Sequence, residues 1–319
     1  MKQTRVKITH VSDSIAESID EALKDFPVRR KRRIFIKPNM SDPSYIPGVV
    51  TTPRLVYEVV SRLRNSAEEV IVGESNGYNY QCWQAFKGTG IETAVKKAGG
   101  SVVNLSEDEV VEVKIRDSPV KRLFLPKTLI DADFFVDMPV MKTHEFKIYS
   151  GALKNLFGCL PDDRRIFMHH QLDEVLFQLY SILNPQLTVM DAIVAMEGNG
   201  PTKGKPVRMN LILTGNDALA VDMTATKLMG IDWKEVDYLN HAAKKTGLEA
   251  ESIKVEGCRI ADCARKFELA RRDLPVQAQL QIYKSPLMTK VLFCQLGLVK
   301  IFQKATSTYR KAAAKETAS

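Results

Sequence analysis

Two kinds of segment alternate along this chain, and their alternation restricts its possible folds more than any other feature. Short runs rich in β-branched and aromatic residues lie at 6–9, 33–38, 69–74, 101–105, 110–115, 133–140, 187–193 and 209–215. Between them, apolar residues recur at spacings of three and four, most clearly at 52–65 and 172–183. This pattern predicts an α/β fold with a mostly parallel sheet and helices on both faces.

Further along, the pattern predicts two additions to that sheet. The runs at 101–105 and 110–115, followed by RLFLP at 122–126, predict an appended meander. From about Cys258 the pattern becomes continuously helical. We therefore expect an α/β domain over 1–257 and a helical C-terminal extension over 258–319 with a frayed tail.

Length and charge narrow the choice of partners. The chain has 319 residues, 45% hydrophobic and 26% charged, and a formal net charge of +8, so it reads as globular and favours anionic partners. The basic run RRKRR at 29–33 lacks the aromatic platforms or recognition helix typical of nucleic-acid sites. Nucleic acid is therefore not the expected partner.

Cysteine usage and hydropathy predict a location. The five cysteines are scattered without a CxxC pair, which favours a reducing compartment. No signal-peptide core is visible, and no stretch approaches the ~18 consecutive apolar residues that a spanning helix needs. We expect a cytoplasmic protein. Residues 285–304 are predicted to pack on protein, while a membrane surface or a homodimer contact is left open for this amphipathic segment.

Polar residues cluster where the predicted strands end. In an open parallel sheet, ligands bind at the carboxyl ends of the strands, beside loops and helix N-termini. Residues in such positions are Lys37, Asn39, Glu74, Lys142, His144, Asp191, Glu197, Gly198, Gly200 and Asp217. Gly, Asn and Asp commonly form turns, but Lys does not, so the lysines favour a functional explanation.

The segment PVMKTHEFKIYSGALKNLFG at 139–158 carries the densest signal. Lys142 and His144 lie two residues apart, so in an extended chain they point to the same side. Lys154 and Asn155 fall in the first turn of a predicted helix, where free N–H groups favour an anion. An ammonium can bind phosphate or carboxylate, and an imidazole can move a proton near neutral pH.

Other candidates supplement this set. Thr52 begins a predicted helix, and Arg165 and His169 lie in a polar loop that could contribute to anion binding. Asp191 and Asp222 could bind a divalent metal, or Asp222 could orient a lysine. Gly198 and Gly200 would let the backbone approach a ligand closely.

An ordered set of motifs resembles a known family. The motifs are IKPN at 36–39, GVVTTPRLV at 48–56, GESNG at 73–77, MPVMKTH at 138–144, GALKNLFG at 151–158, MDAIVAMEGNGP at 190–201 and NDALAVD at 216–222. They resemble domain-of-unknown-function family 362 over residues 33–230. The resemblance implies an enzyme-like pocket and a ferredoxin-type iron–sulfur partner. An intrinsic 4Fe-4S cluster is not expected, because CRIADC supplies only Cys258 and Cys263.

These observations favour an enzyme for a small anionic metabolite. Lys37, Lys142 and Lys154 would bind a phosphate or carboxylate, and His144 with Glu74 or Glu197 would transfer protons, as in an isomerase, lyase or transferase. No GxSxG elbow points to a nucleophilic serine. Two alternatives stay open, namely a redox or metallocofactor protein that acts with an iron–sulfur partner, and a non-catalytic anion-binding module.

Overall fold

The structure is a computed structural model that describes residues 3–77, 80–161, 163–271, 274–285, 287–288 and 291. The chain divides into two compact units. The larger unit consists of Met1–Asp163 and Asp173–Arg271, and the smaller of Arg164–Leu172 and Arg272–Ser319.

A ten-stranded sheet forms the centre of the larger unit. Its strands are β1 (Arg5–His10), β2 (Lys31–Pro38), β3 (Ala67–Glu74), β4 (Ser101–Asn104), β7 (Phe134–Met138), β8 (Val140–His144), β9 (Ile148–Ser150), β10 (Leu187–Glu197), β11 (Lys205–Gly215) and β12 (Lys254–Gly257). Eight of them are ordered β12-β1-β11-β10-β7-β2-β3-β4. From β10 to β4 the five neighbours run parallel, whereas β11 is antiparallel to both β10 and β1. The predicted α/β class with a mostly parallel sheet is confirmed.

The helices connect these strands. They are α1 (Ile15–Leu23), α2 (Pro53–Arg64), α3 (Cys82–Thr89), α4 (Ile91–Lys97), α5 (Lys127–Ile130), α6 (Ala152–Asn155), α7 (Leu172–Leu183), α8 (Ala218–Leu228), α9 (Asp237–Thr246), α10 (Ile260–Cys263) and, in the smaller unit, α11 (Leu274–Lys284). Helix α2 shows how the sequence encodes them. Pro53 is favoured in its first turn, and Leu55, Val56, Val59 and Val60 are buried at helical spacing.

The core lies between this helical face and the apolar centres of the parallel strands. Ile34 and Ile36 of β2, Val70 and Val72 of β3, and Val136 of β7 belong to one buried cluster with α2. Strands buried on both faces read as nearly continuous apolar runs, which is why the sequence pattern located them.

Two strands lie outside the main sheet. β5 (Val110–Lys114) and β6 (Arg122–Pro126) pair with each other as a separate antiparallel sheet. The predicted meander is therefore wrong in its attachment, since β4 joins the main sheet and β5 does not pair with it. Exposed and buried residues alternate along β6, which is typical of a sheet that packs on one face only.

Strand β10 supports two successive neighbours. Its first residues pair with β7, and after Pro139 the chain continues as β8, which pairs in parallel with Asp191 and Met196 of β10. The Asp191 amide donates to the Pro139 carbonyl oxygen at 2.8 Å. This extension brings Lys142 beyond the end of β7, in register with Met196.

The region after β12 differs from the prediction. Between β12 and residue 271, only Ile260–Cys263 forms a helical turn, and residues 264–271 are extended or irregular. The expectation of continuous helix from Cys258 is therefore wrong for this stretch, whose amides bond to other parts of the larger unit. Most of the 285–304 segment and the frayed tail lie outside the described residues. Within the described part of the chain, no helix has the length and apolar character to cross a membrane.

Candidate functional site

Three neighbouring strands, β7, β2 and β3, place ionisable side chains close together below the surface. Lys37 on β2 is in register with Asp137 on β7, and Glu74 ends β3 on the other side of β2. The Lys37 Nζ donates to the Glu74 Oε2 at 2.5 Å and to the Pro38 carbonyl oxygen at 2.8 Å. Lys37 is 0% exposed, and a buried ammonium needs such a partner because leaving water is costly.

Lys142 is buried in a different way. Its Nζ donates to the Asn39 Oδ1 at 2.6 Å, the Ser41 Oγ at 3.0 Å and the Val49 carbonyl oxygen at 3.0 Å, and all three acceptors are uncharged. The side chain sits on β8 and is 1% exposed. Burial, and then the charges of Lys154 and Lys37, lower the pKa of Lys142 from its ordinary 10.5 to about 7, against a smaller opposing effect of Glu74.

Asparagines link the two lysines into one network. The Asn39 Nδ2 donates to the Asn155 Oδ1 at 3.1 Å. The Asn155 Nδ2 in turn donates to the Asp137 Oδ1 at 2.7 Å and to the Lys37 carbonyl oxygen at 3.2 Å. Each amide uses its donor and acceptor sides at once, which fixes the orientation of both side chains.

Asp137 is the acid of this network. It is fully buried, and its Oδ2 has no hydrogen-bond partner among the described residues. Burial raises the pKa of Asp137 well above its ordinary value, although Asn155 and Lys37 favour the charged form. The carboxyl group therefore holds a proton at pH values where an exposed aspartate has lost it.

The start of α6 is held in place by Asp222. This carboxylate accepts hydrogen bonds from the Tyr149 hydroxyl at 2.8 Å, the Ala152 amide at 2.6 Å and the Leu153 amide at 2.9 Å. A Cβ at Gly151 would overlap both Tyr149 and Asp222. Asp222 thus orients, through backbone amides, the turn that carries Lys154 and Asn155.

The second glycine of GALKNLFG covers the ion pair. A Cβ at Gly158 would lie 2.7 Å from the Glu74 Oε1 and 2.9 Å from the Lys37 Nζ. The Ser75 Oγ donates to the Gly158 carbonyl oxygen at 2.6 Å, which anchors this segment above β3. Gly158 therefore allows the backbone to approach the two charges closely.

The network reaches the protein surface on one side. Asn39, Ser41 and Lys154 are partly exposed, whereas Lys37 and Lys142 are buried. The Lys154 Nζ lies 5.3 Å from the centre of the Phe157 ring. The buried Lys142 amine donates to two of these partly exposed residues, Asn39 and Ser41.

Other predicted residues lie near this edge but have structural partners. His144 follows Lys142 on the same side of β8, and its Nδ1 accepts from the Phe146 amide at 3.1 Å. The Thr52 amide, at the start of α2, donates to the Asp191 Oδ2 at 2.7 Å, and the Ile193 amide donates to the Asp191 Oδ1 at 3.1 Å. Asp191 therefore fixes the entry of α2.

The last residue of β10 binds a later segment of the chain, and two glycines follow it. The Glu197 Oε2 accepts from the Glu268 amide at 3.1 Å, and its Oε1 lies 3.6 Å from the Arg265 guanidinium. Gly198 adopts a positive φ of 77°, and a Cβ at Gly200 would overlap the Thr143 carbonyl oxygen. The positive φ of Gly198 and the close packing of Gly200 explain why glycine occupies both positions, without any need for a ligand.

Asp217 lies at the opposite edge of the sheet. Because β11 is antiparallel to β10, its carboxyl end faces the start of β10, where Thr188 pairs with Gly215. There the Asp217 Oδ1 caps α8 by accepting from the Ala220 amide at 2.8 Å, and its Oδ2 accepts from the Tyr180 hydroxyl at 2.6 Å. Its predicted position at the ligand-binding edge is therefore wrong.

Arg165 and His169 belong to the smaller unit. The His169 ring stacks on Tyr283 of that unit, with 4.8 Å between ring centres.

Among the described residues, no three or more His, Cys, Asp or Glu side chains form a group that could hold a metal ion. Asp191 and Asp222 point their oxygens at N–H or O–H donors. Donors of this kind favour a carboxylate acceptor.

Three residues of the network were missed by sequence reasoning. Asp137 lies inside the strand FFVDMPV, where a single acid within an apolar run was the available signal. Ser41 resembles an ordinary loop residue, and Gly158 resembles a helix end. Neither of these two carries a local signal that separates it from a turn former.

Comparison with known proteins places the chain in a family. The family described as "Domain of unknown function (DUF362)" matches residues 34–227, which is more than half of the chain. The chain belongs to this family. The predicted membership is thereby confirmed, and every residue of the DUF362 network lies within the match.

The chain is similar to two described proteins, one by sequence and one by structure. A thylakoid-associated protein of Synechocystis sp. (strain ATCC 27184 / PCC 6803 / Kazusa) is 26% identical over 216 residues, which cover 63% of this chain and 64% of that protein. The match thus spans less than two thirds of the relative's length. The lactate racemase apoprotein from Thermoanaerobacterium thermosaccharolyticum superimposes with a TM-score of 0.46 and 16% identity, over 72% of this chain and 57% of that one.

Proposed function

We propose that this DUF362 protein is an enzyme that binds a small phosphate- or carboxylate-bearing metabolite beside Lys142 and uses the Lys142 amine for proton transfer. One observation carries the proposal. Lys142 is a fully buried amine with three uncharged acceptors and a pKa of about 7. A lysine that serves only to stabilise the fold is expected to have a carboxylate partner, as Lys37 has.

Electrostatics favour an anion at this place. The positive charges of Lys154 and Lys37 each affect Lys142 more strongly than the negative charge of Glu74 does. The charges of Lys154 and Lys37 therefore favour an anion near Lys142, and low-dielectric surroundings strengthen this attraction. Burial raises the pKa of Asp137 and so disfavours a negative charge that would oppose an anion.

The same lysine is suited to proton transfer. An amine with a pKa near the working pH can be present in both forms, which is the property that a general acid or base requires. The neutral amine would take a proton from the bound metabolite, and the ammonium would return it. This chemistry fits an isomerase, a lyase or a transferase, with His144 as a second candidate for the proton transfer.

A ligand screen tests the proposal. We expect at least one phosphate- or carboxylate-bearing metabolite to raise the melting temperature of the wild-type protein and to exchange a C–H proton for deuterium in D₂O, as followed by NMR. Lys142→Met should lose both effects, and the milder Lys154→Gln should weaken binding. Lys7→Met is the matched control, because Lys7 is a buried lysine paired with Glu21 and Asp25 elsewhere in the fold.

Three outcomes of that screen are decisive. A panel without any stabilising anion would contradict the proposed site. An equal shift in Lys142→Met would show that the anion binds elsewhere. Binding without deuterium exchange would contradict the enzymatic part and favour the non-catalytic binding module.

The cytoplasmic location belongs to the same proposal. The Synechocystis relative is described as thylakoid-associated, and for this chain we propose a cytoplasmic enzyme without permanent membrane attachment. Cell fractionation at physiological salt should recover it in the supernatant. Its recovery in the membrane pellet would contradict that location.

A further inference from the structure

Two cysteines outside the family match lie at one end of the sheet. Cys258 directly follows β12, and its amide donates to the Ile8 carbonyl oxygen at 2.9 Å. Cys263 ends the single turn α10, which the Ala264 amide closes by donating to the Ile260 carbonyl oxygen at 2.8 Å. The turn folds the chain back, so that residues five apart in sequence become neighbours.

The two thiols are neighbours and are partly exposed. The Cys263 thiol and the Cys258 sulfur are within hydrogen-bonding reach of each other, and both residues are partly exposed. The charged side chains between them are turned to each other, since the Arg259 Nε donates to the Asp262 Oδ2 at 2.8 Å. Burial and the neighbouring Cys258 raise the pKa of the Cys263 thiol.

We propose that Cys258 and Cys263 form a reversible dithiol–disulfide site whose co-reactant is another thiol–disulfide couple, such as a small-molecule disulfide. The Cys258 thiolate attacks one sulfur of the co-reactant, and the released thiolate takes up a proton. The Cys263 thiolate then attacks the Cys258 sulfur of the mixed disulfide and releases the second half of the co-reactant as a thiol. Two protein thiols are oxidised, and one disulfide is reduced to two thiols.

Burial separates this pair from the other described cysteines. Cys82 and Cys159 are both 0% exposed, and the Cys82 Sγ donates to the Glu74 carbonyl oxygen at 3.2 Å. Thiol exchange requires access of the co-reactant to the sulfur. Oxidation should therefore be selective for Cys258 and Cys263 over these two.

The position of the pair gives the disulfide a structural consequence. The chain after Cys263 runs along the larger unit, where the Arg265 amide donates to the Leu228 carbonyl oxygen and the Glu268 amide donates to Glu197. A disulfide would fix the beginning of this segment to the end of β12. We expect slower amide deuterium exchange over 264–268 in the oxidised protein, because fewer local openings are available to a cross-linked chain.

Equilibration of the full chain in glutathione redox buffers tests the proposal. Trypsin cleaves after Arg259, so an intrachain disulfide joins two tryptic peptides that reduction separates in the mass spectrum. We expect this cross-link in most molecules under oxidising buffer and its loss under reducing buffer. Cys258→Ser should not form the cross-link, whereas Cys263→Ser should accumulate glutathione on Cys258. Cys294→Ser is the control and should still form it.

Several results would overturn the proposal. One such result is that both thiols remain free in the oxidising buffer. Another is that each thiol of the wild-type chain keeps a bound glutathione that the other thiol does not displace. A cross-link found between two chains would also contradict it. Because the readout is covalent, it does not depend on whether Lys142 binds an anion.

Discussion

At the scale of single residues, Lys142 and Lys37 show how differently one side-chain type can be buried. Lys37 neutralises Glu74 across a 2.5 Å contact. Lys142 has only uncharged acceptors, and its pKa falls to about 7. The sequence predicted both lysines at the strand ends, but their difference depends on which neighbours the fold supplies, and that information is absent from a local pattern.

The pKa of Lys142 predicts a pH-dependent stability. In the unfolded chain the lysine keeps its ordinary pKa of 10.5 and holds a proton that the folded chain releases above about pH 7. The free energy of unfolding should therefore rise with pH between about pH 7 and 10.5. Below about pH 7 the contribution of this group should not change with pH. Relative to Lys142→Met, the wild-type chain should gain about 2 kcal/mol between about pH 7 and about pH 9.

Denaturant unfolding of both proteins at these two pH values measures the difference. Lys7→Met again serves as the control, since the other titrating groups are common to all three chains. If the unfolding free energies of wild type and Lys142→Met changed equally between the two pH values, the amine would keep its ordinary pKa in the folded protein.

At the scale of elements, local patterns located most strands and helices of the sheet. The predicted runs at 33–38 and 69–74 correspond to β2 and β3, and the predicted helix at 172–183 corresponds to α7. Strand direction was not encoded locally. The antiparallel course of β11 reversed the edge at which Asp217 lies. The continuation of β7 as β8 along β10 is likewise a tertiary feature, because only pairing with β10 separates it from a loop.

Gly158 provides a prediction for the segment that covers the ion pair. Gly158→Ala places a methyl group against Glu74 and Lys37, so the segment must move outward or the ion pair must rearrange. We expect a loss of about 1–3 kcal/mol of stability together with weaker anion binding. Denaturant unfolding and the ligand-induced shift in melting temperature measure the two effects.

Gly247→Ala is the matched control for this substitution. Gly247 has a positive φ of 71° and no atom within 4 Å of an added Cβ. The variant should lose about 1–2 kcal/mol from backbone strain without any change in anion binding. If Gly158→Ala bound anions as well as Gly247→Ala did, the segment would have no part in the site.

At the scale of the whole molecule, the family match and the buried network cover the same part of the chain. The match spans residues 34–227 and contains the network, whereas Cys258 and Cys263 lie beyond it. The motifs that revealed the family also contain Lys37, Asn39, Lys142 and Asn155. Asp137 escaped notice because its role depends on a neighbouring strand, through its register with Lys37.

A titration of Lys142 by NMR tests the central claim most directly. In protein labelled with ¹³C at the lysine Cε, the Lys142 signal is assigned by its absence from Lys142→Met. We predict that it titrates with a pKa of about 7 and that added inorganic phosphate raises this pKa, because an anion beside the nitrogen favours the ammonium. Titration near 10.5 without phosphate, or a pKa that no concentration of phosphate changes, would contradict the account.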